Sequence, residues 1–167
     1  MEMKEKLQQY LNRYLVDSSV ARKSVHYGAL YDYQEAAPAS GLSDVNQFIH
    51  EHKEEDTFQS KLFSYIDQRG LKDSDVYNKV HIDRRLFSKI RSNPDYHPSK
   101  ETIILFGIAL ELSESELEDL LKTASYSLPM NSIFDLIIRF CFKEKIYDLN
   151  QINEFLFDHQ CKTLSTN

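Results

Sequence analysis

The stretch KDSDVYNKVHIDRRLFSKIRSN constrains the fold most strongly, because its apolar residues are few and regularly spaced. They suit two short helices that meet at a corner, with polar residues on the outer faces. These apolar residues are Val76, Val80, Ile82, Phe87 and Ile90. The turn falls at His81 and Ile82, and histidine tolerates the positive φ that such a turn often needs. Asp83 then suits the N-cap of the second helix.

Further helices are predicted on both sides of this corner. Thr57 is the expected cap of a helix that ends at Arg69 and Gly70. A break over 93–98 precedes a strongly apolar helix, and Ser113 to Glu116 forms a capping box before the next one. The four Gly and four Pro are too few for an all-β chain rich in tight turns. The sequence therefore predicts an all-α protein.

The chain divides into three predicted parts, 1–41, 42–123 and 124–160. Met3–Leu15 is an amphipathic helix that needs a partner surface, and 16–41 is an irregular arm ending in the linker AAPASG. A helix over 42–56 leads into the corner segment. Capping boxes at 132–135 and 148–151 indicate a C-terminal helical hairpin that packs on the bundle or extends it.

The corner segment resembles the helix-turn-helix of the phage-repressor (Xre-type) family. The resemblance covers residues 57–121 and implies a repressor-like bundle whose second helix enters the DNA major groove. The residues that match the family pattern are Val76, Tyr77, Ile82, Asp83, Phe87, Ser88, Ile90, Pro98, Ser99, Thr102, Ala109, Leu110, Leu112 and Leu117. His81 stands where the family usually has glycine. Asp73, with Asp75 beside it, stands where family members often place a glutamine against phosphate.

Charge supports a DNA-binding reading of the predicted recognition helix, 83–92. From Lys79 to Lys100 there are six basic residues against two acids, in a chain of net charge −6. The candidate DNA-contacting residues are Lys79, Arg84, Arg85, Ser88, Lys89 and Arg91. An ordinary solvated helix face stays open as the alternative, because surface helices normally carry such residues. Asp73 and Asp75 would in addition repel DNA.

The hairpin and the N-terminal helix carry many aromatic residues. They predict a partner or homodimer interface, or else completion of the monomer core, and both alternatives stay open. The candidate interface residues are Tyr10, Tyr14, Phe142, Tyr147, Phe155 and Phe157. The tyrosines of the arm, Tyr27, Tyr31 and Tyr33, with His26, are a recognition element or pack onto the bundle.

A second resemblance covers residues 57–157. This part of the chain is similar to a helical domain of many uncharacterised bacterial proteins, in some of which it follows a macro (ADP-ribose-binding) domain. That resemblance implies no particular activity. The chain lacks the length and the glycine-rich loops of a macro domain, so ADP-ribose chemistry is not expected.

No motif predicts catalysis, a metal site or a cofactor. The His50-Glu51-His52 run has divergent side chains on a helix, and no phosphate-binding loop, nucleophile elbow or dinucleotide motif occurs. Cys141 and Cys161 match no metal or redox spacing, and Cys141 is expected to fill the core. No apolar run could span a membrane, so a cytoplasmic, non-enzymatic protein without a small-molecule substrate is expected.

Two functions remain open from the sequence. In the first, the protein is a DNA-binding transcriptional regulator that contacts double-stranded DNA through the 83–92 helix. In the second, it is a protein-interaction adaptor with the same fold that does not bind DNA.

Overall fold

A computed structural model describes residues 3–20, 45, 47, 48, 51 and 56–165. Within these residues the chain forms eight bounded helices, in addition to the helical residues 45, 47, 48 and 51, and no strand, which confirms the all-α class. The helices are α1 (Met3–Val20), α2 (Phe58–Gln68), α3 (Asp73–Lys79), α4 (Arg84–Ser92), α5 (Lys100–Ala109), α6 (Glu114–Lys122), α7 (Ile133–Lys143) and α8 (Leu149–Asp158).

The apolar helix α5 lies at the centre of the fold. All of its residues from Ile103 to Ala109 are buried. A Cβ added at Gly107 would lie 2.8 Å from the Leu117 side chain on α6 and 3.1 Å from the Phe142 ring on α7. Only glycine therefore lets both helices approach α5 this closely. The corner helices and the C-terminal hairpin consequently share one core.

Local capping signals are confirmed at most helix starts. Thr57, Asp83 and Ser99 each accept a hydrogen bond from a backbone N–H in the first turn of the following helix. Ser113 and Glu116 form the reciprocal capping box at the start of α6. These caps fix where the helices begin, because the first N–H groups of a helix have no partner inside it.

The second predicted capping box, at Ser132, forms only in its serine half, so the prediction for the Asp135 side chain was wrong. Ser132 accepts from the Asp135 N–H, but the Asp135 carboxylate points away from the cap and lies 2.6 Å from the Lys100 ammonium on α5. Asp135 Oδ1 has no hydrogen bond of regular geometry among the described residues, so the short ionic contact with Lys100 is what compensates its charge. The pair joins the centre of the bundle to the hairpin.

The third predicted box, at Asp148, is confirmed in its capping half. The Asp148 side chain accepts a hydrogen bond of 2.9 Å from the Gln151 backbone N–H at the start of α8.

The N-terminal helix finds its partner surface within the same chain. Leu7 and Leu11 are each only 1% exposed, and α1 packs against α7. Lys4 lies 2.6 Å from Glu154 and 3.1 Å from Asp158 on α8. The helix also runs on to Val20, so the prediction of irregular structure was wrong for residues 16–20.

Several predictions fall on residues outside the described part of the chain. These include the arm tyrosines Tyr27, Tyr31 and Tyr33, with His26, and most of the helix predicted over 42–56. Within that helix, residues 45, 47, 48 and 51 are helical, and Val45 and Phe48 are exposed. His50 and His52 also lie outside the described residues.

Candidate nucleic-acid interface

The turn between α3 and α4 sets the direction of α4. His81 has φ 57°, and the Ile82 N–H donates to the Tyr77 carbonyl oxygen at 2.8 Å, which closes the turn. Asp83 then accepts from the Arg85 N–H at 2.6 Å and starts the new helix. Histidine is an uncommon but permitted residue at positive φ, as the sequence predicted.

One face of α4 is anchored in the core. Phe87 and Ile90 are buried, and the Phe87 ring lies 5.5–5.9 Å from the rings of Phe63, Tyr77 and Phe106. Three aromatic contacts at these distances hold the ring from α2, α3 and α5. The helix is therefore fixed about its own axis, which determines which side chains it presents to solvent.

The opposite face of α4 is basic and exposed. Arg84, Arg85, Ser88 and Lys89 are all exposed, as predicted from their positions opposite Phe87 and Ile90. The Lys89 ammonium lies 4.6 Å from the centre of the Tyr96 ring, a cation–π contact that leaves the charge at the surface.

Two of the predicted DNA-contacting residues are instead engaged by carboxylates. The Arg91 guanidinium lies 2.6 Å from Asp73, and the Lys79 ammonium lies 2.6 Å from Glu111. Asp73, which was predicted to repel DNA, therefore forms an ion pair with Arg91 in the folded protein. These two ion pairs reduce the positive charge available on this side of the bundle.

Lys72 also lies beside this basic face, although it was not among the predicted DNA-contacting residues. Lys72 is the residue before α3, and together with Arg84 and Arg91 it borders a cleft of 530 Å³ between α3 and α4. This α3–α4 cleft is also lined by Asp73, Ser74, Tyr77 and Ser88. The only sequence signal for Lys72 was its place at the start of a helix in the same corner.

Three of the four acidic residues of α6 form ion pairs with arginines from other parts of the bundle. Arg139 on α7 lies 2.7 Å from Glu114 and also pairs with Glu118, and Arg69 lies 2.9 Å from Glu116. Burial alone would raise the pKa of Glu116, but hydrogen bonds from the Ser113 N–H and the Arg69 guanidinium lower it below its usual range. This acidic run therefore holds α2, α6 and α7 together.

No protein-family model, curated protein or solved structure matches this chain. Among the described residues no group of three or more His, Cys, Asp and Glu side chains is arranged to hold a metal ion. In the same part of the chain, no helix combines the length and apolar character needed to cross a lipid bilayer.

The six candidate interface residues separate into three groups. Phe142 and Phe155 are 2% exposed and belong to the core, so they are unavailable to a partner of the folded chain. Tyr10 and Tyr14 are partly buried, with Tyr10 packed 5.4 Å from the Phe140 ring centre. Tyr147 is also partly buried and donates to the Leu112 carbonyl oxygen at 2.7 Å. Phe157 forms the third group alone, because it is 75% exposed.

Proposed function

We propose that this protein is a double-stranded DNA-binding transcriptional regulator that uses α4 as its recognition helix. The proposal rests on Arg84, Arg85 and Lys89, which are exposed and have no carboxylate partner among the described residues. These three cations lie within six residues of one exposed face, and none forms an ion pair with another described residue. By contrast, nine other described cations pair with carboxylates, namely Lys4, Lys6, Lys61, Arg69, Lys79, Arg91, Lys100, Arg139 and Lys162. Arg13, Lys72, Lys143 and Lys145 also form no ion pair with a described residue, but they do not form a group of three on one helix face.

This contrast matters because the chain carries a net charge of −6. Carboxylates are abundant in the chain, yet three cations on the exposed face of α4 have no carboxylate partner among the described residues. A duplex supplies closely spaced phosphates that such a face can neutralise with release of counterions. Arg84, Arg85 and Ser88 also have the chemistry to read base edges in the major groove.

The rigidity of α4 supports the same function. The Asp83 cap fixes its first turn, Phe87 fixes its rotation, and the side-chain amide of Gln59 binds its last carbonyl groups. A recognition element held in this way loses little conformational entropy on binding. The resemblance of residues 57–121 to the phage-repressor helix-turn-helix points in the same direction.

A charge-reversal pair tests this proposal. Arg84→Glu with Arg85→Glu is expected to abolish binding to a random-sequence duplex. The fold is expected to survive, because acidic residues in the first turn of a helix interact favourably with its dipole. The matched control is Arg13→Glu with Lys145→Glu, which makes the same change in net charge at two other exposed sites. The control variant is expected to lose much less affinity.

Thermal melts followed by circular dichroism establish that both double variants are folded. Equal loss of DNA binding in the two folded variants would mean that net charge, and not α4, governs the interaction. Unchanged binding in the Arg84/Arg85 variant would contradict the assignment of α4.

A protein-interaction adaptor is the second candidate, and two observations favour it. The Arg91–Asp73 and Lys79–Glu111 ion pairs reduce the charge near α4, and Phe157 on α8 is 75% exposed. An exposed phenylalanine of this kind suits a contact with another protein surface. Light scattering of Phe157→Ser against the unchanged protein tests whether that surface joins two copies of the chain.

A further inference from the structure

The α3–α4 cleft gathers groups that bind phosphate. Lys72, Arg84 and Arg91 supply three positive charges and Asp73 supplies one negative charge, which leaves an excess of two. Ser74 and Ser88 also line this cleft, and the Ser74 hydroxyl donates to the Asp75 carboxylate at 3.4 Å. Neither Lys72 nor Arg84 forms an ion pair with any residue in the described part of the chain.

Arg91 is held in this cleft by two partners of different kinds. Its guanidinium lies 4.1 Å from the centre of the Phe63 ring and 2.6 Å from the Asp73 carboxylate. The ring contact does not depend on which anion the guanidinium binds, so Phe63 keeps Arg91 in position if the anion changes. Arginine is also suited to bind phosphate with two parallel hydrogen bonds.

The Asp73–Arg91 pair is open to solvent. The Arg91 side chain is 53% exposed and that of Asp73 is 38% exposed. Ion pairs this exposed contribute little, corresponding to at most roughly a fivefold change in an equilibrium constant. A doubly hydrogen-bonded phosphate with Lys72 and Arg84 beside it is therefore a stronger partner for Arg91 than Asp73 is.

We propose that the α3–α4 cleft is a phosphate-binding site in which Asp73 occupies Arg91 until a phosphate group replaces it. The phosphate comes from the DNA backbone or from a free phosphate anion. The first source rests on the proposed DNA-binding function, whereas the second does not. In the DNA-bound state Arg91 becomes one more phosphate contact, and Asp73 lowers the affinity by competing for it.

Two isosteric variants test the competition. Asp73→Asn removes the competing charge, so we expect it to tighten binding to a labelled duplex by roughly fivefold. We also expect a salt dependence steeper by about one phosphate contact. Asp75→Asn makes the same change in charge two residues along α3, where the carboxylate forms no ion pair with a described residue. It is expected to change affinity less than about twofold.

A third variant shows whether the effect passes through Arg91. With Arg91→Gln already present, Asp73→Asn is expected to give only the small gain of Asp75→Asn, because the residue that Asp73 competes for is gone. Equal gains from Asp73→Asn with and without Arg91 would overturn the proposal. Equal gains from Asp73→Asn and Asp75→Asn would overturn it as well.

Inorganic phosphate separates the two sources. The probe is the Arg91 side-chain Nε–H signal in nuclear magnetic resonance spectra, titrated with phosphate in the unchanged protein and in Asp73→Asn. We expect the signal to shift and saturate in both proteins, at a lower phosphate concentration in Asp73→Asn than in the unchanged protein. This result supports the site even if the duplex does not bind. In that case only the proposed DNA-binding function fails. Absence of both duplex binding and a phosphate-dependent shift in Asp73→Asn would overturn the site itself.

Discussion

The side-chain amide of Gln59 donates a hydrogen bond to the carbonyl oxygen of Arg91 at 2.5 Å. It also donates to the neighbouring carbonyl of Ile90 at 2.9 Å. The last carbonyl groups of a helix have no donor within it, so Gln59 on α2 satisfies the end of α4. This contact joins α2 to the end of α4, the proposed recognition helix.

Removing that amide is expected to destabilise the fold modestly. Gln59→Ala should lower the free energy of unfolding by about 1 kcal/mol, because the two carbonyl groups lose a partner near the surface. Urea denaturation measures the change. Gln68→Ala is the control, since among the described residues the Gln68 amide donates only to the Ser64 hydroxyl in the same helix, at 2.8 Å. If both variants lost the same stability, the inter-helix contact would have no particular role.

The N-terminal helix is expected to be part of the folded core. Leu11 is 1% exposed where α1 packs against α7, so Leu11→Ala should lower the free energy of unfolding by about 2–5 kcal/mol. Gln9→Ala, on the exposed side of the same helix, should change it by less than about 0.5 kcal/mol. Urea denaturation of both variants makes the comparison, and equal stabilities would contradict the docking of α1.

Removing one charge of the Lys100–Asp135 pair is expected to cost more stability than removing both. Asp135→Ala should cost about 3 kcal/mol of stability, because it leaves the largely buried Lys100 ammonium without its partner. Lys100→Met combined with Asp135→Leu removes both charges and should cost less than the single change. Chemical denaturation of the two proteins decides this, and a double variant less stable than Asp135→Ala would be inconsistent with the pair as described.

The two thiols are expected to react at very different rates. Burial raises the pKa of Cys141 to about 12, so at pH 8 almost none of it is the reactive thiolate. Cys161 is partly exposed, although burial raises its pKa as well. Because a thiol is almost fully protonated two pH units below its pKa, Cys141 of the folded protein should stay nearly unreactive up to about pH 10.

Titration with a thiol-specific chromophoric reagent checks this expectation. One equivalent should react with the native protein and a second only after unfolding, and Cys161→Ser should remove the first. Two equivalents reacting at one rate in the native protein would contradict the burial of Cys141.

The fold was largely predictable because its determinants are local. The positive φ at His81, the Asp83 cap and the Ser113–Glu116 box depend on neighbouring residues, which a sequence shows directly. The length of α1 was underestimated, since DSS at residues 17–19 is typical of a loop or cap and yet continues the helix.

The candidate site was predictable only in part, because long-range pairs decide which charges are available. The Arg91–Asp73 and Lys79–Glu111 partners lie 18 and 32 residues apart, so their meeting depends on how the helices pack. Similarly, Phe155 and Phe157 lie on opposite sides of α8, and the aromatic content alone does not tell which one is buried.

Fluorescence anisotropy of a labelled random-sequence duplex, titrated with the purified protein at several salt concentrations, tests the central claim most directly. We expect binding that weakens steeply with salt. Three phosphate contacts, from Arg84, Arg85 and Lys89, correspond to a slope of about −3 in log K against log salt concentration. Absence of binding at the lowest salt concentration would contradict the proposal that α4 binds DNA.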